Sequence, residues 1–284
     1  MNETPINQTI VLRVGQTERS YIVHVPPGIT QGKPFPVVLN FHGGGGNAAL
    51  QIKRSLMDDV ADRSQFLLIY PEGTPGTLPG LRTWNAGSCC GRAARERVDD
   101  VAFVRALMVD AAERWLIDPN RIYATGMSNG GMMAYRLACE LSDKIAAIAV
   151  VSATLEVQPC TPSRPISVMS IHGTADDSVP FDGGASKNRW ANGQIFNSVP
   201  ASIAFWKGHD ACPEEERITY QRGRVTCRNC GPCQGNTDVT LCVVEGGGHA
   251  WPGGTPPNRR EVTDSDFNAS EEIWRFLTRH QLDQ

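Results

Sequence analysis

Gly126-Met127-Ser128-Asn129-Gly130 sets a serine between two glycines, with a β-prone run (Arg121–Thr125) before it and a helical pattern (Met132–Ala138) after it. Strand, sharp turn and helix in that order describe a nucleophile elbow. The turn is strained and lifts the hydroxyl clear of the sheet, and the flanking glycines avoid clashes with strand and helix. A serine hydroxyl attacks only when a base takes its proton, so the elbow calls for a histidine and for a carboxylate to orient it. In chain order the acid and then the histidine are expected on loops after later strands. His249 fits as base: it lies in Gly246-Gly247-Gly248-His249-Ala250-Trp251-Pro252, directly after the apolar run Val239–Glu245. Asp176 is the expected acid, in His172-Gly173-Thr174-Ala175-Asp176-Asp177-Ser178-Val179-Pro180, with Asp177 as alternative and Asp182 as a weaker third. The remaining histidines, His24, His42, His172, His209 and His280, read as structural, His42 by shaping the loop that follows it.

Acyl transfer also needs at least two preorganised donors for the developing oxyanion. The backbone N–H of Asn129, next to the nucleophile, is one. The others are expected from Gly43 and Gly44 in His42-Gly43-Gly44-Gly45-Gly46-Asn47, where four glycines permit a path with N–H groups turned inward. A phosphate-cradling loop would require a following lysine, which is absent. Trp251, two residues past the base, and Trp84, in Leu81–Asn85, are the candidate substrate contacts.

Asp99 and Asp100 open a helical pattern, where carboxylates suit the N-terminus, and both read as structural. Nine cysteines, several in Gly- and Pro-rich loops, point to disulfides and hence to an oxidising compartment, secreted or periplasmic. The odd number leaves one thiol over, and Cys139, on the helix after the elbow, is the expected free one. Cys227, Cys230 and Cys233, with Cys242 downstream, have zinc-ligand spacing, but the other cysteines favour pairing over metal, and no βαβ context supports a redox dithiol. No metal or organic cofactor is expected.

The elements that would position these residues are legible as strands near Thr9–Val14, Ser20–Val25, Val37–His42, Phe66–Tyr70, Arg121–Thr125, Ile145–Val151, Ile166–His172 and Val239–Glu245. The first two alternate apolar with polar residues, as an antiparallel edge pair does, and the later runs are nearly continuous, as in a parallel sheet covered on both faces. Helical patterns at Ala48–Arg63, Val98–Trp115, Gly131–Leu141, Pro200–His209 and Asp266–His280 intervene, the last with Asp264 or Ser265 as its expected cap. The alternation predicts a three-layer α/β sandwich of the α/β-hydrolase type, with a mostly parallel sheet of about eight strands. Ser152–Pro165 leaves little room for a helical lid, so the site should be open.

The chain has 284 residues, 40% of them hydrophobic, and a net charge of −3. That length suits one domain, 1–284, with a Cys-rich insertion around 212–235. The charge gives no case for nucleic acid or an anionic membrane surface. No apolar stretch approaches the roughly 20 residues that span a bilayer, and Met1–Pro5 lacks the features of a signal peptide.

Taken together, His42–Gly46, Trp84 with Cys89-Cys90-Gly91 and Val98–Val101, Gly126–Gly131, His172–Asp176 with Val179-Pro180, and Gly248–Gly253 resemble the polyhydroxybutyrate depolymerase and feruloyl/acetylxylan esterase group of secreted α/β-hydrolases. The resemblance runs from about Arg19 to the end, and the chain departs from it in the Cys-rich stretch Arg222–Gly235. It implies Ser128 as nucleophile, Asp176 as acid and His249 as base, and an ester substrate, possibly polymeric: hydroxycinnamoyl or acetyl groups on plant polysaccharide, or a hydroxyalkanoate polyester. A peptidase or dienelactone hydrolase on the same fold is the alternative, with a non-catalytic binding module as a further one. The complete set of triad and oxyanion residues speaks against the module.

Overall fold

The computed structural model describes residues 6–29, 32–76, 80–188, 191, 193–256 and 267–282. Ten strands form the main sheet: β1 (Ile6–Val14), β2 (Thr17–Val25), β3 (Phe35–Phe41), β4 (Leu67–Pro71), β7 (Ile117–Met127), β8 (Ala147–Val151), β9 (Ser167–Gly173), β12 (Arg217–Arg222), β13 (Val225–Cys230) and β14 (Val239–Val244). Their order is β1-β2-β4-β3-β7-β8-β9-β14-β13-β12. The six strands from β4 to β14 pair in parallel, and antiparallel strands close both edges. Two small hairpins, β5 (Thr74–Pro75) with β6 (Arg82–Thr83) and β10 (Gly184–Ala185) with β11 (Ile195–Phe196), sit outside this sheet.

Alternation along the parallel strands feeds two cores, because successive side chains leave a strand on opposite faces. Val37, Leu39, Leu67 and Ile69 face one cluster, which takes in Phe103 and Leu107 of α4 (Asp100–Arg114), Met132 and Leu137 of α5 (Asn129–Glu140), and Trp206 of α6 (Val199–His209). Val38, Leu68 and Tyr70 face the other, with Val60 of α2 (Met57–Ser64) and Ile273 and Phe276 of α7 (Ala269–Leu277). Helices thus cover both faces of the sheet, giving the three layers expected. No helix of the described residues is long and apolar enough to cross a membrane.

Three local expectations are corrected. The pattern Ala48–Arg63 is two helices, α1 (Ala48–Ser55) and α2, broken at Leu56, which adopts φ 52°. The Ser55 hydroxyl accepts the Met57 N–H across the break, so a local side-chain bond competes with helix continuation. The Cys-rich segment is partly a hairpin, β12 and β13, that extends the sheet beyond β14, with Cys227 bonded to its register partner Cys242. Cys139 is not the free thiol: it pairs with Cys160 and ties α5 to the loop after β8, while buried Cys230 is the free cysteine. Cys212 pairs with Cys233 and Cys89 with Cys90, so Cys227 and Cys233 are held in disulfides. The start of α7 is capped by Asn268, which accepts the Glu271 N–H. The expected caps Asp264 and Ser265 lie outside the described residues.

Candidate active site

The strand order puts every expected site loop at the carboxyl edge of the parallel strands: Gly43–Gly46 after β3, Ser128 after β7, Asp176 after β9 and His249 after β14. β3 lies beside β7, and β9 beside β14. Ser128 adopts φ 56°, ψ −127°, a conformation that costs on the order of 1–3 kcal/mol for a residue with a Cβ. Its N–H donates to the Val151 carbonyl (2.9 Å) and its carbonyl accepts the Met132 N–H (2.9 Å), so the turn is held from both sides. The elbow glycines are required by close approach: a Cβ on Gly126 would stand 2.7 Å from the Phe41 carbonyl, and one on Gly130 would overlap the Phe41 and His42 carbonyls.

Asp176 is buried and has a partner for each oxygen. Oδ1 accepts the backbone N–H groups of Ser178 and Val179 (2.9 Å each), and Oδ2 meets His249 Nδ1 at 2.8 Å. Burial by itself raises the pKa of this carboxyl, but the charge and hydrogen bond of His249 and the Val179 N–H outweigh it, and the net shift is downward. Asp177, by contrast, points outward and pairs with Lys187 at the surface. The acid and base loops are also tied by backbone: Ala175 N–H donates to the Gly247 carbonyl (2.9 Å) and Thr174 N–H to that of Val244 (3.0 Å). His172 lies behind this pair, its Nε2 at 2.8 Å from the Val179 carbonyl and 3.4 Å from Asp176 Oδ2. Burial lowers its pKa, which keeps it neutral.

In the glycine loop, Gly45 donates to the Arg82 carbonyl and Gly46 to that of Gly43, so the N–H groups of these two glycines are engaged in holding the loop's path. A Cβ on Gly43 would stand 3.5 Å from Ser128 Cβ, and one on Gly44 3.5 Å from Asn129 Cβ, so the loop abuts the elbow. The Asn129 N–H belongs to the first turn of α5, where backbone donors have no partner within the helix. Sequence reasoning missed the work of its side chain. Oδ1 accepts the Trp84 N–H (2.7 Å) and Nδ2 donates to the Trp84 carbonyl (3.0 Å), so the carboxamide pairs with that peptide segment as a neighbouring strand would.

Trp84 and Trp251, expected to touch substrate, are core residues instead. Trp84 is fully buried: its indole donates to the His42 carbonyl (3.0 Å) and packs edge-on against Phe41. Trp251 is 1% exposed, and its indole donates to the Ser270 hydroxyl. Each ring fills volume beneath a site loop while its one polar atom is satisfied, which suits a buried tryptophan and removes it from the rim.

His42 is the structural residue expected. Its Nδ1 faces the Gly43 carbonyl (2.8 Å) and its Nε2 the Gly73 N–H (3.0 Å), so the neutral ring donates from Nδ1 and accepts at Nε2. Burial takes its pKa down to about 4. The unfolded chain therefore gains a proton here as pH falls through about 6.5 while the folded one does not, and stability is lost across pH 6.5 to 4, by up to about 3 kcal/mol. Urea unfolding at both ends of that window should show a flatter dependence in His42→Gln than in the wild type.

Residues 19–197, more than half of the chain, match the family model described as Esterase PHB depolymerase. The chain is 34% identical over 290 residues to the putative esterase NocK of Nocardia uniformis subsp. tsuyamanensis, covering 94% of this chain and 81% of that protein. It is 31% identical over 237 residues to feruloyl esterase B of Piromyces equi, covering 82% of this chain but 42% of that protein. An acetyl xylan esterase structure from Aspergillus awamori superposes with a TM-score of 0.60 at 13% identity, covering 93% of this chain and 99% of that one, a likeness of fold alone. With the matched span running from β2 through the elbow and the acid loop, this chain belongs to the PHB depolymerase esterase family of carboxylic ester hydrolases.

Proposed function

We propose that the chain hydrolyses carboxylic esters through an acyl-enzyme on Ser128, and that its substrates are feruloyl or acetyl esters of plant polysaccharide or hydroxyalkanoate polyesters and their oligomers. The observation that carries the reading is the 2.8 Å contact between His249 Nδ1 and buried Asp176, on the same sheet edge as the strained Ser128. With Nδ1–H held by the carboxylate, Nε2 is the atom left to accept a proton. Ser128 Oγ attacks the ester carbonyl as Nε2 takes its proton, and the oxyanion is held by the N–H groups of Asn129, Gly43 and Gly44. The tetrahedral intermediate expels the alcohol, protonated by His249. Water, deprotonated by the same nitrogen, then attacks the acyl group and frees the acid. Four disulfide pairs support an oxidising, extracellular setting for this chemistry.

A fluorophosphonate probe should label the native protein and leave Ser128→Ala unlabelled. Labelling that survives the substitution would place the nucleophile elsewhere. Side-by-side rates on methyl ferulate, acetylated xylan and polyhydroxybutyrate film choose among the substrate classes, and faster turnover of a p-nitroanilide than of the matched p-nitrophenyl ester would overturn the esterase reading in favour of a peptidase.

A further inference from the structure

Asp176 lies between two imidazoles. His249 meets Oδ2 from the base loop at 2.8 Å, and His172, the next-to-last residue of β9, approaches the same oxygen with its Nε2 at 3.4 Å. The side chains of His172 and Asp176 are both fully out of solvent. Nε2 is also 2.8 Å from the Val179 carbonyl, so both of its neighbours are oxygens that only accept, and the ring proton sits on Nε2. On the other side of the ring, Nδ1 faces the Ala153 carbonyl without the geometry of a hydrogen bond and has no hydrogen-bond partner among the described residues. Phe181 packs edge-on against the imidazole, and its ionisable neighbours are Asp176 and His249. Val179 is held by both of its backbone groups: its N–H donates to Asp176 Oδ1 (2.9 Å) and its carbonyl accepts from His172.

A histidine buried in neutral form, with one nitrogen unpaired, is a costly way to fill volume, since an apolar ring would pack against Phe181 and strand no polar atom. What an apolar ring lacks is the donor. We propose that His172 is a positioning residue for the acid, its Nε2–H pinning the turn at Val179 and sharing Asp176 Oδ2 with His249. The inference rests on the esterase reading and adds to it a second histidine that sets the basicity of the Asp176–His249 pair. A carboxylate that accepts a further N–H holds its charge more easily and offers less of it to the imidazolium of His249. Both effects lower the pH at which the coupled pair takes up a proton, so His249 stays a free base further into acid. The contact with the Val179 carbonyl does separate work: it steadies the residue whose N–H holds Oδ1, and with it the direction in which Oδ2 points.

The test follows kcat and KM on p-nitrophenyl acetate across pH in the wild type, His172→Phe and His172→Gln. Phenylalanine keeps the ring packing without the donor, and glutamine keeps an N–H donor near the place of Nε2. His172→Phe should lower kcat about tenfold at the plateau with KM within about twofold, and should move the acid limb of kcat/KM upward by at least about half a pH unit. His172→Gln should bring that limb most of the way back. A residue that only fills space would cost stability and leave the limb in place. A limb that stays put or moves downward in His172→Phe, or that is displaced as far in His172→Gln, overturns the inference while leaving the esterase reading intact. The wild type supplies a readout independent of any variant's folding: nitrogen NMR of histidine-labelled protein should show His172 as the neutral Nε2–H tautomer while His249 titrates, and an Nδ1–H tautomer would overturn the inference equally. Absence of Ser128-dependent turnover on every ester would instead sink the reading beneath it.

Discussion

Asp176→Asn is expected to lower kcat on p-nitrophenyl acetate by about four orders of magnitude, and Asp177→Asn by less than about threefold. The neighbours differ in what holds them. Asp176 has its side chain fully out of solvent, with Oδ1 fixed by two backbone N–H groups and Oδ2 against His249 Nδ1. An asparagine held by the same N–H groups at its oxygen would turn its NH2 toward His249. The imidazole would then accept at Nδ1 and carry its proton on Nε2, the nitrogen that must take the serine proton. Asp177, 68% exposed and paired with an exposed lysine, contributes little even to stability. A second readout separates the two. Because the Asp176 carboxyl has a lowered pKa when folded, it stabilises the protein above the usual carboxylate range, and that contribution is lost as pH falls through the folded value. Asp176→Asn should therefore flatten the acid side of the stability curve, measured by urea unfolding between about pH 6 and 2, and Asp177→Asn should leave its shape alone. Equal activity losses in the two variants would reassign the acid.

The sequence carried this much of the site because the elbow, acid loop and base loop are each announced by local chemistry: glycines where backbones collide, and polar residues directly after apolar runs. The parallel strands were legible for the same reason, as Val37–Phe41 and Ala147–Val151 are nearly continuous apolar runs buried on both faces. What escaped depends on contacts far apart in sequence. The β12–β13 hairpin is hidden because β12 is polar and mostly solvent-facing, with Ile218 55% exposed, so no buried face imposes a period of two. The signal that could have found it is the Arg222-Gly223-Arg224 turn between alternating Ile218, Tyr220 and Val225, Cys227. Trp84 and Trp251 were misplaced because a tryptophan near a site loop in sequence can support the loop from beneath as readily as line its surface. Cys139 was misjudged because its partner, Cys160, sits on a loop whose path only the fold reveals.

Arg19→Met is expected to cost about 3–5 kcal/mol of stability, the penalty for stranding a buried charge. Arg19 and Asp100 are both buried and meet at 2.8 Å, while the other carboxylate oxygen accepts the Asn85 N–H at 2.8 Å. Methionine would keep much of the contact that Arg19 makes with the Phe103 ring, so the loss isolates the charge. Even with Arg19 present, burial pushes the Asp100 pKa upward. Without it the folded state prefers protonated Asp100 still more strongly, so the penalty grows as pH rises through the ordinary carboxylate range and shrinks again in acid. Urea unfolding of Arg19→Met near neutrality and near pH 4 tests that slope, and a variant equally destabilised at both would show that lost packing dominates. Adding Asp100→Leu should recover part of the stability, because an apolar pair of similar volume removes the stranded charge, though the Asn85 N–H then lacks its acceptor. The consequence reaches catalysis through one short path. Asn85 follows Trp84, whose peptide groups are gripped by the Asn129 carboxamide, so a brace lost at Asp100 frees the segment that fixes the proposed oxyanion donor. Arg19→Met protein that remains folded should therefore lose kcat before it loses KM, since the Asn129 N–H is needed most when charge develops on the carbonyl oxygen.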